Sequence, residues 1–237
     1  MLEAGRDTGM VYKPETPLRF MSGMSEREVE EKVGNNLLFL YLVDETSRSG
    51  QVEDDLKAQK LVFLSEKLMV QRRLKAFNYN FFRWKKGPYC ADLSNDIKRL
   101  TRAGLLQRKN DKIELTDLGR KVIANCEPEL KDCSNFLKPI KEVAQEYGSI
   151  PPEELKERVY DTSVFVPKLH RVMKIRDIEE GKLILFRLSE TRARKTLNLN
   201  ENWQATLELV FSKEAQDSLR MAQQDAIEGR VCDFQSL

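Results

Sequence analysis

The residues that most often carry chemistry in proteins are few in this sequence. The 237 residues include four cysteines, at positions 90, 126, 133 and 232, and a single histidine, His170. No two cysteines show Cys-x-x-Cys spacing, so a structural zinc site is not predicted and reduced thiols are expected. No cysteine or serine motif accompanies His170 for a nucleophile–base pair, and His170 is therefore interpreted as an ordinary surface or core residue.

Motifs for binding phosphates, dinucleotides or acyl groups are also missing from the sequence. It contains no Gly-x-x-x-x-Gly-Lys, no Gly-x-Gly-x-x-Gly and no Gly-x-Ser-x-Gly pattern. The acidic run Glu53–Asp55 has metal-ligating residue types, but no further ligands accompany it. Because the helix dipole favours negative charge at a helix start, the run is interpreted as the beginning of a helix. The sequence predicts a protein that acts without catalysis, cofactor or metal.

The net charge of +2 conceals an asymmetry along the chain. Residues 55–124 carry 17 Lys and Arg against 7 Asp and Glu, a net +10, which leaves −8 for the rest. Residues 201–237 hold 3 basic and 7 acidic residues, a net −4. A basic middle favours a nucleic-acid contact, whereas an acidic end favours a protein partner. The ordinary alternative for the basic segment is a solvated charged face or a protein contact, and the alternative for the acidic segment is packing on its own domain or on a twin subunit.

Composition indicates a globular protein with helix-rich surfaces, since 41% of the residues are hydrophobic and 33% are charged. No apolar run approaches the roughly 18 residues needed to span a bilayer. The N-terminus lacks the charged-then-apolar pattern of a signal peptide. A cytoplasmic protein is therefore expected.

The first predicted elements are two helices. One begins at Ser25, an N-cap residue type, and stops before Gly50. The second follows the acidic run and repeats Leu61, Leu64 and Leu68 on one face. These helices are expected to supply the centre of a hydrophobic core.

An aromatic and basic stretch, FFRWKKGPYC at residues 81–90, follows the second helix. Its aromatics suit an extended segment, and Gly87–Pro88 breaks it. Pro88 is predicted to begin a third helix, since proline is favoured in the first helical turn. That helix places Leu93, Ile97 and Leu100 on one face and ends near Gly104.

Two short extended pieces, LLQRK and KIEL, follow the third helix and are joined by the turn pair Asn110–Asp111. Thr116 then caps another helix. Helix, helix, β-hairpin, helix is the order of a winged helix. The predicted fold is mainly α with a small β-hairpin: a winged-helix-like helical domain followed by a C-terminal α+β extension. The predicted division is a loosely ordered N-terminal arm (1–24), the winged-helix-like domain (25–126), a helical connector (127–180) and a C-terminal partner-binding or dimerisation segment (181–237).

The C-terminal segment contains a further helical pattern. Ala215, Leu219, Ala222 and Ala226 repeat at helical spacing, and Gly229 follows as a C-cap. Such a helix is interpreted either as lying in a groove on another protein or as packing on its own domain or a twin subunit.

Residues 37–123 resemble the Panacea-type domain of phage-associated and toxin–antitoxin proteins. The matching segments are LKAQKLVFLSE (56–66), FFRWKKGPYCADLSNDIKRLTRAGLL (81–106) and IELTDLGRKVI (113–123). The pattern of the family is a Lys-x-Gln-Lys-Leu helix, an aromatic-basic-Gly-Pro step and a second helix. Its positions are occupied here by Lys57, Gln59, Lys60, Leu61, Gly87, Pro88 and Tyr89. The resemblance implies a partner-binding antitoxin and no catalysis.

The last residues are similar to the C-termini of many small bacterial antitoxins. Those proteins finish with a helix, then Gly-basic-Val or Gly-basic-Thr, then an acidic-aromatic tail. Gly229-Arg230-Val231 and Asp233-Phe234 stand at these places, although the ending QSL is less acidic than such tails usually are. The predicted partner-binding residues are Leu219, Met221, Arg230 and Phe234.

The basic segment supplies a second set of candidate residues. In a winged helix, one helix enters the major groove while the wing reaches phosphates. The predicted DNA-binding residues are Lys98, Arg99, Arg102, Arg108, Lys109 and Lys112. Asn95 is the only amide in the third helix, so no target sequence is predicted.

Two functional hypotheses follow from these residues. The first is an antitoxin or regulator of a toxin–antitoxin or mobile-element system, with a cognate toxin or other protein as partner and operator DNA as a second candidate ligand. The alternative is a stand-alone winged-helix transcriptional regulator, with the C-terminal segment forming a homodimer.

Overall fold

A computed structural model of the chain describes residues 27–166, 169–185, 195–197 and 199–230. This part of the chain is mainly helical with small β-sheets, which confirms the predicted class. The helices are α1 (Val29–Ser49), α2 (Asp55–Gln71), α3 (Ala91–Arg102), α4 (Asp117–Asn125), α5 (Glu127–Asp132), α6 (Ser134–Tyr147), α7 (Pro152–Tyr160), α8 (Glu201–Phe211) and α9 (Lys213–Ile227). The strands are β1 (Leu74–Lys75), β2 (Phe81–Trp84), β3 (Gly87–Tyr89), β4 (Leu106–Lys109), β5 (Lys112–Leu115), β6 (Ser163–Val166), β7 (Arg171–Lys174), β8 (Leu183–Leu185) and β9 (Lys195–Thr196).

Helices α1, α2 and α6 form the centre of the fold. α6 packs against both α1 and α2, and its buried residues Phe136, Ile140 and Val143 join the same hydrophobic core as those helices. α8 packs against α1 and adds Leu207 and Phe211 to that core. Residues from the stretches 127–180 and 181–237 therefore share one core with the helices before them.

The helix starts differ slightly from the predicted ones. α1 begins after Glu28, whose backbone N–H donates to Glu31 Oε2 at 2.8 Å, and Ser25 lies outside the described residues. α2 begins after Asp54, whose side chain accepts a hydrogen bond from the Lys57 backbone N–H at 2.7 Å. The acidic run at this helix start therefore includes an N-cap, the role that its position indicates.

The prediction that Pro88 begins a helix is wrong. Pro88 lies in β3, which pairs with β2 in an antiparallel hairpin and places Pro88 opposite Arg83. β2 also pairs with β8 on its other side. β3 is an edge strand, so the backbone on one of its sides has no partner strand. Proline, which lacks a backbone N–H, is therefore compatible with this position. Gly87 adopts a φ of 100° as the chain leaves the hairpin turn, and α3 starts at Ala91.

The second hairpin matches its prediction. β4 and β5 pair antiparallel, with Lys109 opposite Lys112 across the turn residues Asn110 and Asp111. Both turn residues have positive φ, 50° and 64°, as a two-residue type I′ turn requires. Thr116 then caps α4 by accepting a hydrogen bond from the Gly119 backbone N–H at 3.1 Å. The C-terminus of α3 is followed by Gly104, whose φ is 76°.

Several buried side chains on α2 are polar, and each binds a different part of the chain. Gln59 forms two hydrogen bonds with the backbone of Cys90: its Nε2 donates to the carbonyl at 2.8 Å, and its Oε1 accepts from the N–H at 2.9 Å. Glu66 pairs with Lys75 and accepts a hydrogen bond from the Phe77 N–H at 3.1 Å. α2 therefore holds the beginning of α3 at one point and the chain after β1 at another.

Replacing Gln59 with leucine should destabilise the fold markedly. The substitution keeps an apolar volume in the helix but leaves the buried N–H and C=O of Cys90 without their partner, at about 1–3 kcal/mol for each unsatisfied group. The measurement is urea unfolding followed by circular dichroism. Gln107→Leu, on the exposed strand β4, is the matched control and should change the free energy of unfolding by less than about 0.5 kcal/mol. Equal stability of the two variants would contradict the role given to Gln59.

Candidate functional site: a basic helix–hairpin face and an exposed C-terminal helix

Helix α3 is held in place through Asp96, which is buried on its inner side. The Arg27 guanidinium donates to both carboxylate oxygens of Asp96, at 2.6 and 3.2 Å, and lies over the ring of Tyr79. The Tyr79 hydroxyl donates to the same carboxylate at 2.8 Å. Together with the hydrogen bonds from Gln59 to Cys90, these contacts set the direction of α3 and of the hairpin that follows it.

We call the surface formed by α3 and the β4–β5 hairpin the basic face; it contains the six residues predicted to bind DNA, Lys98, Arg99, Arg102, Arg108, Lys109 and Lys112. Leu93, Ile97 and Leu100 are buried on the opposite side of α3, as their spacing predicts. Lys98 and Arg102 are exposed on the helix, and Lys109 is exposed at the hairpin tip. Because α3 packs against β4, the candidate cations of the helix and of the hairpin belong to neighbouring elements.

Intramolecular ion pairs occupy two of the six cations. The Arg99 guanidinium lies 3.0 Å from Asp96, and Arg108 pairs with Asp55 at the start of α2. Within the described ranges, no carboxylate lies within 4 Å of the other four, which are Lys98, Arg102, Lys109 and Lys112. The charge that the basic face can offer a ligand is thus smaller than the sequence count suggests.

Helix α9 carries two of the four predicted partner-binding residues, Leu219 and Met221. None of its 15 residues, all of which the structure describes, is buried. Leu219 is 49% exposed and Met221 is 68% exposed. Because they are two positions apart, their side chains project about 160° apart around the helix. Leu219 and Met221 therefore lie on opposite faces, which a single flat partner surface cannot contact together.

Arg230 lies just after the end of α9 and is bound within the chain. Its guanidinium donates to Asp225 Oδ1 at 2.7 Å and pairs with Glu228. Its backbone N–H donates to the Asp225 carbonyl while that of Gly229 donates to the Ala226 carbonyl, which is the Schellman arrangement with Gly229 at a φ of 70°. Arg230 thus has a structural explanation in the helix cap. Phe234, the remaining predicted residue, lies outside the described residues.

The start of α9 lies beside the end of α3. The Gln216 side chain donates to the Ala103 carbonyl at 3.4 Å and to the Val210 carbonyl at 2.7 Å. The pKa of Glu214 is lowered by a hydrogen bond with its own backbone, by Ser212 and, more weakly, by the charge of Arg102. The basic face and α9 are therefore neighbours, and a ligand on one lies close to the other.

Lys57 and Lys60, the two lysines of the family motif on α2, lie in the core. The sequence alone gives no reason for their burial. Lys57 is buried, and its ammonium donates to the Gly148 carbonyl at 2.8 Å and lies 2.6 Å from Glu53. Lys60 is also buried, but its ammonium makes one long hydrogen bond, 3.3 Å to the Leu56 carbonyl. Burial lowers the pKa of Lys60 to about 7, against the opposing charges of Asp54 and Glu153.

The described residues show neither a metal-binding cluster nor a membrane-spanning helix. No group of three or more His, Cys, Asp and Glu side chains there is arranged to hold a metal ion. None of the helices in those ranges combines the length and the apolar character that a bilayer crossing requires. Cys90 and Cys126 are buried free thiols, Cys133 is half-buried, and Cys232 lies outside the described residues.

Comparisons with known proteins give no match: no protein-family model fits the chain, and neither the curated proteins nor the solved structures yield a significant similarity. The resemblance to the Panacea-type family therefore stays a prediction.

Replacing Lys60 with methionine should stabilise the protein in a pH-dependent way. In the native state the proton leaves Lys60 near pH 7, whereas in the unfolded chain it is retained to about pH 10.4. Because the unfolded state binds more protons over that window, the wild type gains stability as the pH rises, and Lys60→Met removes this dependence. We expect the stabilisation by Lys60→Met to shrink by about 2–3 kcal/mol between pH 6.5 and 9.5.

Chemical unfolding at a series of pH values measures this effect. Lys98→Met, at an exposed position on α3, is the control and should leave the pH dependence of the wild type unchanged. A constant difference between Lys60→Met and the wild type over the whole pH range would contradict an uncharged Lys60.

Proposed function

We propose that this protein is an antitoxin or regulator that acts by binding a partner protein through helix α9. The observation that carries the proposal is that α9, a 15-residue helix, buries none of its residues in its own chain. Isolated helices of this length are marginal in water, and most helices in proteins are stabilised by packing an apolar face. A helix with no buried residue and with apolar side chains exposed has the form of a helix that binds in a groove of another protein.

The partner-binding face is the one that contains Leu219. Ala215, Ala222 and Ala226 lie on the same side of the helix at i−4, i+3 and i+7, and Ile227, 80% exposed, lies at its edge. Small residues around a single leucine let a partner approach the helix backbone closely while one side chain enters a pocket. The resemblance of the chain to toxin–antitoxin proteins makes a cognate toxin the first candidate for that partner.

DNA binding is a second candidate function, favoured by the exposed cations of the basic face. The order of α3, the β4–β5 hairpin and α4 agrees with the predicted winged-helix arrangement. In such an arrangement α3 would contact the major groove and the hairpin tip would reach phosphates. Lys98, Arg102 and Lys109 are exposed and lie outside the intramolecular ion pairs of Arg99 and Arg108. Cations at these places would supply sequence-independent affinity through counterion release.

Replacing Leu219 with aspartate should abolish capture of the partner without unfolding the protein. The test is co-expression with the product of the neighbouring gene, followed by pull-down and a growth assay. We expect the affinity to fall at least about tenfold, because a charge would enter an apolar contact. Gln224→Asp introduces the same charge on another side of α9 and should retain the partner. Absence of a complex and of growth rescue with the wild type would refute the proposed function.

Charge reversal of Lys98, Arg102 and Lys109 should weaken DNA retention and its salt dependence. Each phosphate contact that is lost should reduce the slope of log affinity against log salt by about 1, so the triple variant should lose about 3. Fluorescence anisotropy with duplex DNA over a salt series is the measurement. Reversal of Arg171, Lys174 and Lys182, which lie outside the basic face, is the control with equal charge. Wild-type retention that shows no salt dependence would exclude the DNA-binding function.

A further inference from the structure

An open groove lies between α1 and the helices α4, α5 and α6, on a part of the surface that neither function above uses. Its volume is about 580 Å³. The apolar side chains that line it come from all four helices: Tyr41, Ile123, Ala124, Leu130 and Leu137. A groove of helices with an apolar floor is the form of surface that accepts one face of an additional helix.

The rim of this groove is left with unpaired positive charge. Arg48 pairs with Asp44 and Glu45 on the α1 side, at 2.8 and 2.9 Å. Lys131 pairs with Glu127 on α5 at 3.0 Å. On the α6 side, Lys138 and Lys141 are exposed, and no carboxylate of the described residues lies within 4 Å of either ammonium. The occupant that fits the groove should therefore combine an apolar side chain with carboxylates.

The face of α9 opposite Leu219 has this combination. Met221, 68% exposed, is at its centre. Four carboxylates, Glu214, Asp217, Asp225 and Glu228, stand at i−7, i−4, i+4 and i+7 from it and so line the same side of the helix. We call this side the Met221 face. It presents one flexible apolar side chain between two pairs of acids.

Two carboxylates of the Met221 face, Asp217 and Asp225, keep a free acceptor oxygen, whereas both oxygens of Glu228 accept hydrogen bonds from Gln224 and Arg230. Asp217 accepts from Lys213 and Arg220 through Oδ1, and Asp225 accepts from Arg230 through Oδ1. The Oδ2 oxygen of each receives no hydrogen bond from the part of the chain that the structure describes. Each of these two aspartates can therefore accept a further hydrogen bond from a lysine without losing its present partner.

We propose that the groove binds the Met221 face of α9 from a second copy of this chain, forming a two-fold dimer with two reciprocal contacts. Met221 enters the apolar floor, and the flanking carboxylates pair with Lys138 and Lys141. The helix is about 22 Å long, which suits a contact along several helices of the partner. A two-fold arrangement repeats the same contact twice, which doubles the buried surface.

This dimer goes beyond the proposed partner binding and is independent of it. The groove binds the Met221 face, whereas the proposed partner binds the Leu219 face on the other side of the helix. Both faces can be occupied at once. Variants of Leu219 therefore report on the partner, and variants of Met221 report on the dimer.

Analytical ultracentrifugation of the full chain tests the dimer. The wild type should sediment as a dimer whose dissociation constant rises at least about tenfold in Met221→Asp and in Ala124→Trp, which fills the groove. Met221 and Ala124 are both exposed, so the monomers of the two variants should have similar melting temperatures. Leu219→Asp is the matched control on the opposite face and should remain a dimer. A monomeric wild type, or a dimer unchanged by Met221→Asp and Ala124→Trp, would overturn the proposal.

Cross-linking then identifies the contact itself. Met221→Cys and Ala124→Cys are made in separate chains that carry tags of different size, and the chains are mixed and oxidised. A disulfide between the two tagged chains should form in the mixture, and neither variant alone should give that product. A mixture that yields only the adducts seen with each single variant would place α9 outside the groove and overturn the proposal.

Discussion

Helix α2 buries several polar side chains, and the rest of the fold depends on supplying hydrogen-bond partners for them. A buried amide or ammonium costs free energy unless it finds a hydrogen-bond partner, so every such group dictates what must lie opposite it. Gln59 requires the backbone of Cys90, Lys57 requires the Gly148 carbonyl, and Glu66 requires Lys75 and the Phe77 N–H. Three remote segments are thereby positioned by one helix, and the beginning of α3 is among them. The orientation of α3, and with it the basic face, is therefore set by the contact of Gln59 with the Cys90 backbone in the core.

The sequence predicts those elements whose residues act locally. The Asn110–Asp111 turn, the Thr116 cap and the apolar side of α3 depend on neighbours within a few residues, and the structure confirms them. The local preference of proline for the first helical turn places Pro88 at a helix start, but tertiary pairing with β2 puts it in a strand instead. Edge-strand pairing depends on residues far along the chain, and a local pattern does not contain that information.

The polar residues of α2 show that local sequence patterns also fail to predict part of the core. Lys, Gln and Glu on a helix ordinarily indicate a solvated face, because these residues are almost never fully buried unless paired. Lys57, Gln59, Lys60 and Glu66 are nevertheless buried, so the stripe of leucines marks only part of the core-facing surface. The resemblance to a known motif singled out three of these four positions, but it did not indicate that they are structural. The charge that the basic face can offer is smaller than the sequence count for a related reason, since Arg108 meets Asp55 of α2 only in the folded chain, whereas the pairing of Arg99 with Asp96 is local to α3.

Helix α9 depends largely on local interactions because none of its residues is buried. Ser212 caps its start by accepting from the Ala215 N–H, Lys213 pairs with Asp217 four residues on, and Gly229 and Arg230 close its end. A cap contributes about 0.5–2 kcal/mol, and a pair at this spacing contributes about 0.2–0.5 kcal/mol. These interactions order the helix before any partner is present. A partner or second copy that binds it then meets a preorganised surface, so less of the contact energy is lost to ordering. An exposed helix with both ends capped therefore agrees with the binding role that we propose for α9.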